Sequence, residues 1–379
     1  MRHHQHNRGF NFIKPPVEFN KNTDMALLKY CLGAVLYMPG TRNIVDKILA
    51  GNSPASAIVM CFEDAICEEN LAAAENNVFN HLNVISTALN NGSVQNDDLP
   101  LIFVRVRSCA QMKDYIERMT PEQARILAGF VFPKFDSCNG TVYLNELRQA
   151  NARFGTVLYG MPILEGWLIA HTETRGRELL KLSNLMRDFS DLILNIRVGA
   201  TDFSAIFGVR RGINYSIYDI VTVRDCISDI LNTFTRSDEG YVLSAPVWEY
   251  FLADKQENLD HLLKQDIHRS LLQRSSIVND AIDGLLREVI LDKANGFVGK
   301  TIIHPSHLKY VNAMQSVTQE EYEDAMQILD TSGGVVKSAK ANKMNEINPH
   351  RSWAQKIAQR AKAYGVIEDE RSYLRLILG

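Results

Sequence analysis

Thr156-Val157-Leu158-Tyr159-Gly160-Met161-Pro162-Ile163-Leu164-Glu165-Gly166 is the stretch that decides the fold, together with the run Leu192 to Val198 and its sequel Gly199-Ala200-Thr201-Asp202-Phe203. Both are nearly continuous apolar runs, the pattern of parallel strands buried on two faces, and both end in an acid. Neighbouring parallel strands of this kind would release the two carboxylates at one edge of a sheet, within reach of a single hard divalent cation.

Working outward, the same kind of run recurs at Ala34 to Met38, Ala57 to Cys61, Leu101 to Val106, Gly129 to Phe132, Tyr241 to Ser244 and Lys300 to Ile303. With Thr156 to Met161 and Leu192 to Val198, these predict eight strands. Helical candidates lie between them, at Glu68 to Ala88, Tyr143 to Ala152, Trp167 to Arg187 and Ile217 to Phe234. A β-α unit repeated in this way predicts an α/β fold, a closed (β/α)₈ TIM barrel, with an open doubly wound sheet as the alternative. The Val247 to Asn295 connection is long enough for two or three helices. Beyond the eighth strand, Ser352 to Tyr364 and Asp369 to Leu378 read as helices around a Gly365 break. The expected organisation is an N-terminal tail over 1–25, a barrel over 26–310 and a helical C-terminal extension over 311–379. The extension is expected to pack against the barrel, contact another subunit or cover the barrel mouth.

Composition sets the outer limits. With 379 residues, 46% of them hydrophobic, the chain can bury a large core. Lys and Arg number 41 against 44 Asp and Glu, so no global basic field argues for nucleic acid or an anionic membrane. No apolar stretch approaches the roughly 20 residues that cross a bilayer, and Met1 to Lys14 lacks a signal peptide's apolar run, so a cytoplasmic location is expected. Six dispersed cysteines with no CxxC pair suggest reduced, packed thiols. His3, His4 and His6 read as part of a disordered native or cloning-derived terminus.

Barrel chemistry sits just past the strand ends, and those positions are polar here. They hold Phe62-Glu63-Asp64-Ala65-Ile66, Val104-Arg105-Val106-Arg107, Pro133-Lys134, Glu165, Asp202 and His304-Pro305. With Leu36-Tyr37-Met38-Pro39-Gly40 at the start and Gly296 to Pro305 at the end, this series resembles the HpcH/HpaI aldolase and citrate lyase β-subunit family. The motifs run in the family's order across Leu36 to Pro305. The long insert and tail also look like the branch of bacterial C-C bond lyases associated with tellurium-resistance gene clusters.

The resemblance implies a Mg²⁺-dependent carbon–carbon lyase or aldolase acting on a 2-oxo-acid or acyl unit through a metal-stabilised enolate. Glu165 and Asp202 match the metal ligands, and Arg105 matches the arginine that grips substrate oxygens. Glu63 and Asp64 would act around the metal, and Gly199, Ala200 and Thr201 would help bind substrate. Barrels of this kind are commonly homo-oligomers. The same enolate would also serve a malyl-type thioesterase or a synthase, and a non-catalytic metabolite-binding subunit of a biosynthetic complex is the alternative outside catalysis.

Each residue has a plainer role to set beside this. Either acid alone could cap a helix. Arg105 could be a structural ion-pair partner, although an arginine in Leu101-Ile102-Phe103-Val104 is costly without a carboxylate nearby. Lys134 reads as a rim ion-pair residue, and His304, whose spacing to His307 is interrupted by Pro305, as structural. Ala294 to Thr301 differs from a P-loop only in its first glycine, but a strand, not a helix, follows it.

Departures from the family carry information as well. Relatives place basic residues that face a coenzyme A thioester where this chain has Leu71 and Glu75, which puts a coenzyme A substrate in doubt. Arg107 replaces the strand asparagine, and period-two geometry places it beside Arg105. That predicts a substrate with an additional phosphate or carboxylate. Arg210 and Arg211, if not simply solvated, would add to the same charge.

Overall fold

Eight apolar strands with helices on their outer side can satisfy every strand edge only by closing on themselves. The computed structural model, which describes residues 1–7, 9–53, 55–236, 240–251, 278–338, 340 and 342–378, shows this closure. The strands are β1 (Ala34–Pro39), β2 (Ala57–Cys61), β3 (Leu101–Arg105), β4 (Leu127–Phe132), β5 (Tyr159–Leu164), β6 (Ile196–Val198), β7 (Leu243–Ser244) and β8 (Lys300–Ile302). All are parallel, in the order β7-β6-β5-β4-β3-β2-β1-β8. A bridge between Ala245 and Lys300 joins the two ends, with Ala245 N donating to the Gly299 carbonyl at 3.1 Å. The open-sheet alternative is thereby excluded.

Alternation sorts the strand residues into two cores. Val35, Val59, Leu101, Phe103, Met161 and Ile163 fill the barrel, while Leu36, Ile58, Met60, Ile102, Val104 and Phe130 pack outward against helices such as Leu71–Asn90. Strand starts moved where local hydrogen bonds compete. Asn151 holds both the N–H and the carbonyl of Leu158, so β5 begins at Tyr159, later than the apolar run that starts at Thr156. The Trp167 to Arg187 region divides into Trp167–Ala170 and Thr172–Asp188.

Of the Val247 to Asn295 connection, residues 252–277 lie outside the described residues. Its far end is the Asp280–Ala294 helix, capped by Asn279, whose side chain accepts from the N–H groups of Ala281 and Ile282.

The N-terminal segment is packed, contrary to a disordered terminus. Phe19 and Leu28 join the core inside the barrel, and Lys21 donates to the carbonyls of Ala124 and Leu127 where β4 begins. His3 and His4 are buried, with His3 stacked on Tyr364 at 4.4 Å. This end of the barrel, where the strands start, is closed by the segment.

The C-terminal extension is helical, with additions the sequence did not announce. Helices Gln319–Asp330 and Ile347–Tyr364 pair around a small core that includes Ile328, Ile347 and Ile357. Between them lies a hairpin of β10 (Val335–Lys337) and β11 (Met344–Glu346), and β9 (Val317–Thr318) pairs with β12 (Val366–Ile367) after Gly365. Helix Ser372–Leu378 ends the described chain and packs on Leu308–Gln315. No helix among the described residues is long and apolar enough to cross a membrane.

Candidate active site

Register brings the polar strand ends together. Cys61 at the end of β2 pairs with Arg105, and Arg105 with Val131, so Glu63, Arg105 and Lys134 leave three adjacent strands at one level. Arg105 Nη2 lies 2.7 Å from Glu63 and 3.4 Å from Glu165, and Nη1 lies 3.2 Å from Asp64. Lys134 Nζ is 2.6 Å from Glu63, the rim ion pair expected of it. Lys134 adopts a left-handed backbone (φ 47°), uncommon for a residue with a side chain. Its N–H donates to Glu165 Oε1 at 2.9 Å.

Asp202 sits in the first turn of helix Ala200–Ile206, and its carboxyl comes within hydrogen-bonding reach of Glu165. Burial pushes Glu165 up to about 8; Arg105 works against this shift and Asp202 adds to it. Glu63 is also raised, chiefly by burial. For Asp64 burial acts upward, but the hydrogen bond with Glu63 and the charges of Arg105 and Lys134 hold it below its ordinary value. Gly199 makes the arrangement possible through its lack of a side chain. A Cβ there would lie 1.9 Å from Glu165 Oε2.

The donor set suits a divalent cation. Four carboxyl groups (Glu63, Asp64, Glu165, Asp202) cluster here, Arg105 and Lys134 contact the first three, and the Glu165–Asp202 pair offers the hard oxygens that Mg²⁺ prefers. No group of three or more His, Cys, Asp or Glu placed to hold a metal occurs among the described residues, and Mg²⁺ is commonly bound by one or two carboxylates with water or substrate in its other positions.

Above these residues opens a cavity of about 450 Å³. Tyr37, Arg105, Glu165, Asp202, Arg197 and Thr301 line it, as do Asp64, Gly199, Ala200 and Thr201. Among the described residues, those that line it all fall between Tyr37 and Ile303.

Arg107 does not enter this cavity. Strand β3 ends at Arg105, and past that point the chain turns, so period-two placement no longer holds. Arg107 Nε and Nη2 donate to the carbonyls of Phe62 and Ile66 at 3.1 and 2.6 Å, and Nη1 pairs with Glu68. It braces the loop after β2. Arg211 is buried, not solvated, and pairs with Glu249 and Glu288, whereas Arg210 is exposed. Glu75 is buried and accepts from Gln111 at 2.6 Å and from Arg118.

His304 stacks on Phe251 at 4.4 Å, and His307 contacts the Tyr250 carbonyl through Nε2 at 3.0 Å, so each is structural. The P-loop likeness fails too. Lys300 is buried 2.8 Å from both Glu288 and Asp292, and Gly299 (φ +74°) presses so close that a Cβ would meet the Gly33 carbonyl at 2.3 Å.

The residue that sequence reasoning passed over is Arg197, on β6. A charged residue inside Ile196-Arg197-Val198, one step before Gly199, was the available signal, because an arginine in an apolar strand calls for a partner.

A sequence profile described as "C-C Bond Lyase of the TIM-Barrel fold" matches residues 26–366. Among solved structures, CitE from Mycobacterium tuberculosis in complex with magnesium, acetoacetate and coenzyme A is similar at 18% identity over 88% of this chain and 99% of that one, with a TM-score of 0.50. The citrate lyase beta subunit of the same organism complexed with oxaloacetate and magnesium has 18% identity over 75% and 96%, with a TM-score of 0.43. RipC from Yersinia pestis has 14% identity over 76% and 95%, with a TM-score of 0.45. No curated protein matches the chain.

Proposed function

Because the chain belongs to the family of C-C bond lyases of the TIM-barrel fold, which makes it a carbon–carbon lyase, we propose that the chemistry takes place at the Glu165–Asp202 edge of the barrel on a 2-oxo-acid or acyl unit. The observation that carries this reading is the Glu165–Asp202 carboxyl pair, held together in the wall of one cavity with Glu165 Oε2 lying over Gly199. Glu165 and Asp202 would hold Mg²⁺ between them. Bound there, the ion would draw electron density from the substrate's carbonyl oxygen, which a carbon–carbon bond beside a carbonyl needs in order to break.

The remaining roles belong to the chain's own groups. Lys134 N–H and Arg105 fix Glu165 Oε1 from two sides, so the carboxylate is oriented before any ligand arrives. Arg105 lines the cavity and contributes positive charge where substrate oxygens would lie. Glu63 and Asp64 hold Arg105 in place and border the space around the ion. Gly199, Ala200 and Thr201 line the same cavity and would help bind the substrate. The positions that the family resemblance aligns with basic residues facing coenzyme A hold Leu71 and Glu75 here, which favours a free acid as substrate.

The direct test is exchange of the methyl protons of pyruvate in deuterated water, with and without Mg²⁺. An enolising lyase shows Mg²⁺-dependent exchange, and a barrel that only binds metabolites does not. Gly199→Ala should cut the exchange by at least about 100-fold, because its Cβ displaces Glu165 from its place.

A further inference from the structure

Arg197 lies on the inner face of β6, in register with Ile163, and lines the same cavity as Arg105 and Glu165. It is 1% exposed. Nη2 donates to the Thr301 hydroxyl, while Nε and Nη1 have no hydrogen-bond partner. Its guanidinium carbon is 5.4 Å from the centroid of the Tyr37 ring, a cation–π contact that is a weak substitute for a counter-charge.

The other buried arginines show what is missing. Arg105, Arg175 and Arg211 each pair with a carboxylate, and Arg360 lies in the field of Glu321. No acid pairs with Arg197 among the described residues. Burial works against its charged form, a side-chain hydrogen bond with Tyr37 supports it, and Arg105 repels it; a neutral phenol is still no counter-charge. An arginine nonetheless keeps its proton, so this is an uncompensated positive charge in the wall of a substrate-sized cavity. The divalent ion that would balance the Glu165–Asp202 edge leaves this charge untouched.

We propose that Arg197 is a second substrate anchor, receiving a carboxylate at the end of the 2-oxo acid away from Glu165 and Asp202, so that the enzyme selects dianionic 2-oxo acids over monoanionic ones. The proposal takes from the preceding reading only the location of the 2-oxo group. One guanidinium balances one carboxylate, whereas a phosphate dianion would bring an unmatched charge into a closed wall. Thr301 completes the site. Its oxygen accepts from Arg197, so its hydrogen is free to donate to the incoming group. Arg197 therefore takes the place that the sequence suggested for Arg107.

The test is calorimetric titration of the full chain in Mg²⁺ with oxaloacetate and with 2-oxobutyrate, which carries a methyl group where oxaloacetate has its second carboxylate. Oxaloacetate should bind at least about ten-fold more tightly. Arg197→Gln should reduce that ratio to below about two-fold, mainly by weakening oxaloacetate, with 2-oxobutyrate affinity little changed. Thr301→Val should narrow it by a smaller factor, and it keeps the proposal testable should Arg197→Gln fail to fold. Equal affinity of the folded wild-type chain for the two acids overturns the proposal alone. Binding of neither acid overturns the 2-oxo-acid reading and this proposal with it. Binding of 3-phosphonopyruvate more tightly than oxaloacetate overturns the assignment to a carboxylate.

Discussion

Glu165 and Glu288 are both buried glutamates set among a lysine and an arginine, yet the fold completes one environment and leaves the other open. Glu288, behind the sheet, meets Lys300 Nζ at 2.8 Å through Oε1, while Oε2 accepts from Arg211 and from the Ile217 N–H at 2.9 Å. Burial would raise its pKa, but Lys300 and Arg211 hold it below the ordinary carboxylate value. Among the described residues, the Lys134 N–H and Arg105 donate to Glu165 at Oε1, and its other oxygen lies over Gly199 near Asp202. Its pKa goes the opposite way. A buried carboxylate whose oxygens are all taken serves the fold, and one left with a free oxygen beside a second acid is fitted for a ligand.

The contrast sets the expected outcomes of mutation. Glu165→Gln should abolish Mg²⁺-dependent exchange, by about 10⁴-fold or more (over about 5 kcal/mol), with no fall in melting temperature, because Gln still accepts from the Lys134 N–H. A large loss of stability in that variant would mean that Glu165 is structural like Glu288. Lys300→Met should do the reverse, since it strands Asp292 without a cation and leaves Glu288 with Arg211 alone. The cost should be about 3–5 kcal/mol, seen as a drop in melting temperature on the order of 10 °C.

Smaller effects separate the clusters further. At a concentration about 100 times its dissociation constant, Mg²⁺ should add about 3 kcal/mol to wild-type stability and nothing to Asp202→Asn, measured by thermal shift. The same ion should leave the loss in Lys300→Met undiminished in size. The smallest expected effect is on pH. Asp292 is raised to about 6 by burial, so its native form holds a proton more tightly than its unfolded form, whose value is near 3.8. Its contribution favours folding at low pH and is lost as pH rises through about 6. Glu288 opposes this with a lowered pKa. Asp292→Asn should therefore gain about 1 kcal/mol relative to wild type between pH 4 and 6, and an unchanged pH slope in chemical denaturation would count against the assignment.

Several elements were legible because they rest on local pattern. Leu101-Ile102-Phe103-Val104 and Ala57 to Cys61 are continuous apolar runs, which only a sheet covered on both faces can accommodate, and both are strands. Glu165 and Asp202 could be singled out because a strand's end fixes the edge at which a side chain emerges, and the structure does bring them together. Arg107 was misplaced because the strand rule was carried two residues past the strand, into a turn that gives the side chain two carbonyls. Arg211, Glu288 and Lys300 could not be joined beforehand, since their meeting depends on how helix Asp280–Ala294 lies against β8. Nor could the burial of His3 be read, because its partner Tyr364 comes from the other end of the chain.

The amino-acid order by itself determined a parallel barrel and its two converging acids, because hydrophobic periodicity and strand direction are local properties that survive without knowledge of neighbours. Only the tertiary structure decided which buried charges are satisfied. Whether an arginine such as Arg105, Arg197 or Arg211 finds a carboxylate depends on side chains supplied by other strands and helices, and on the space between them.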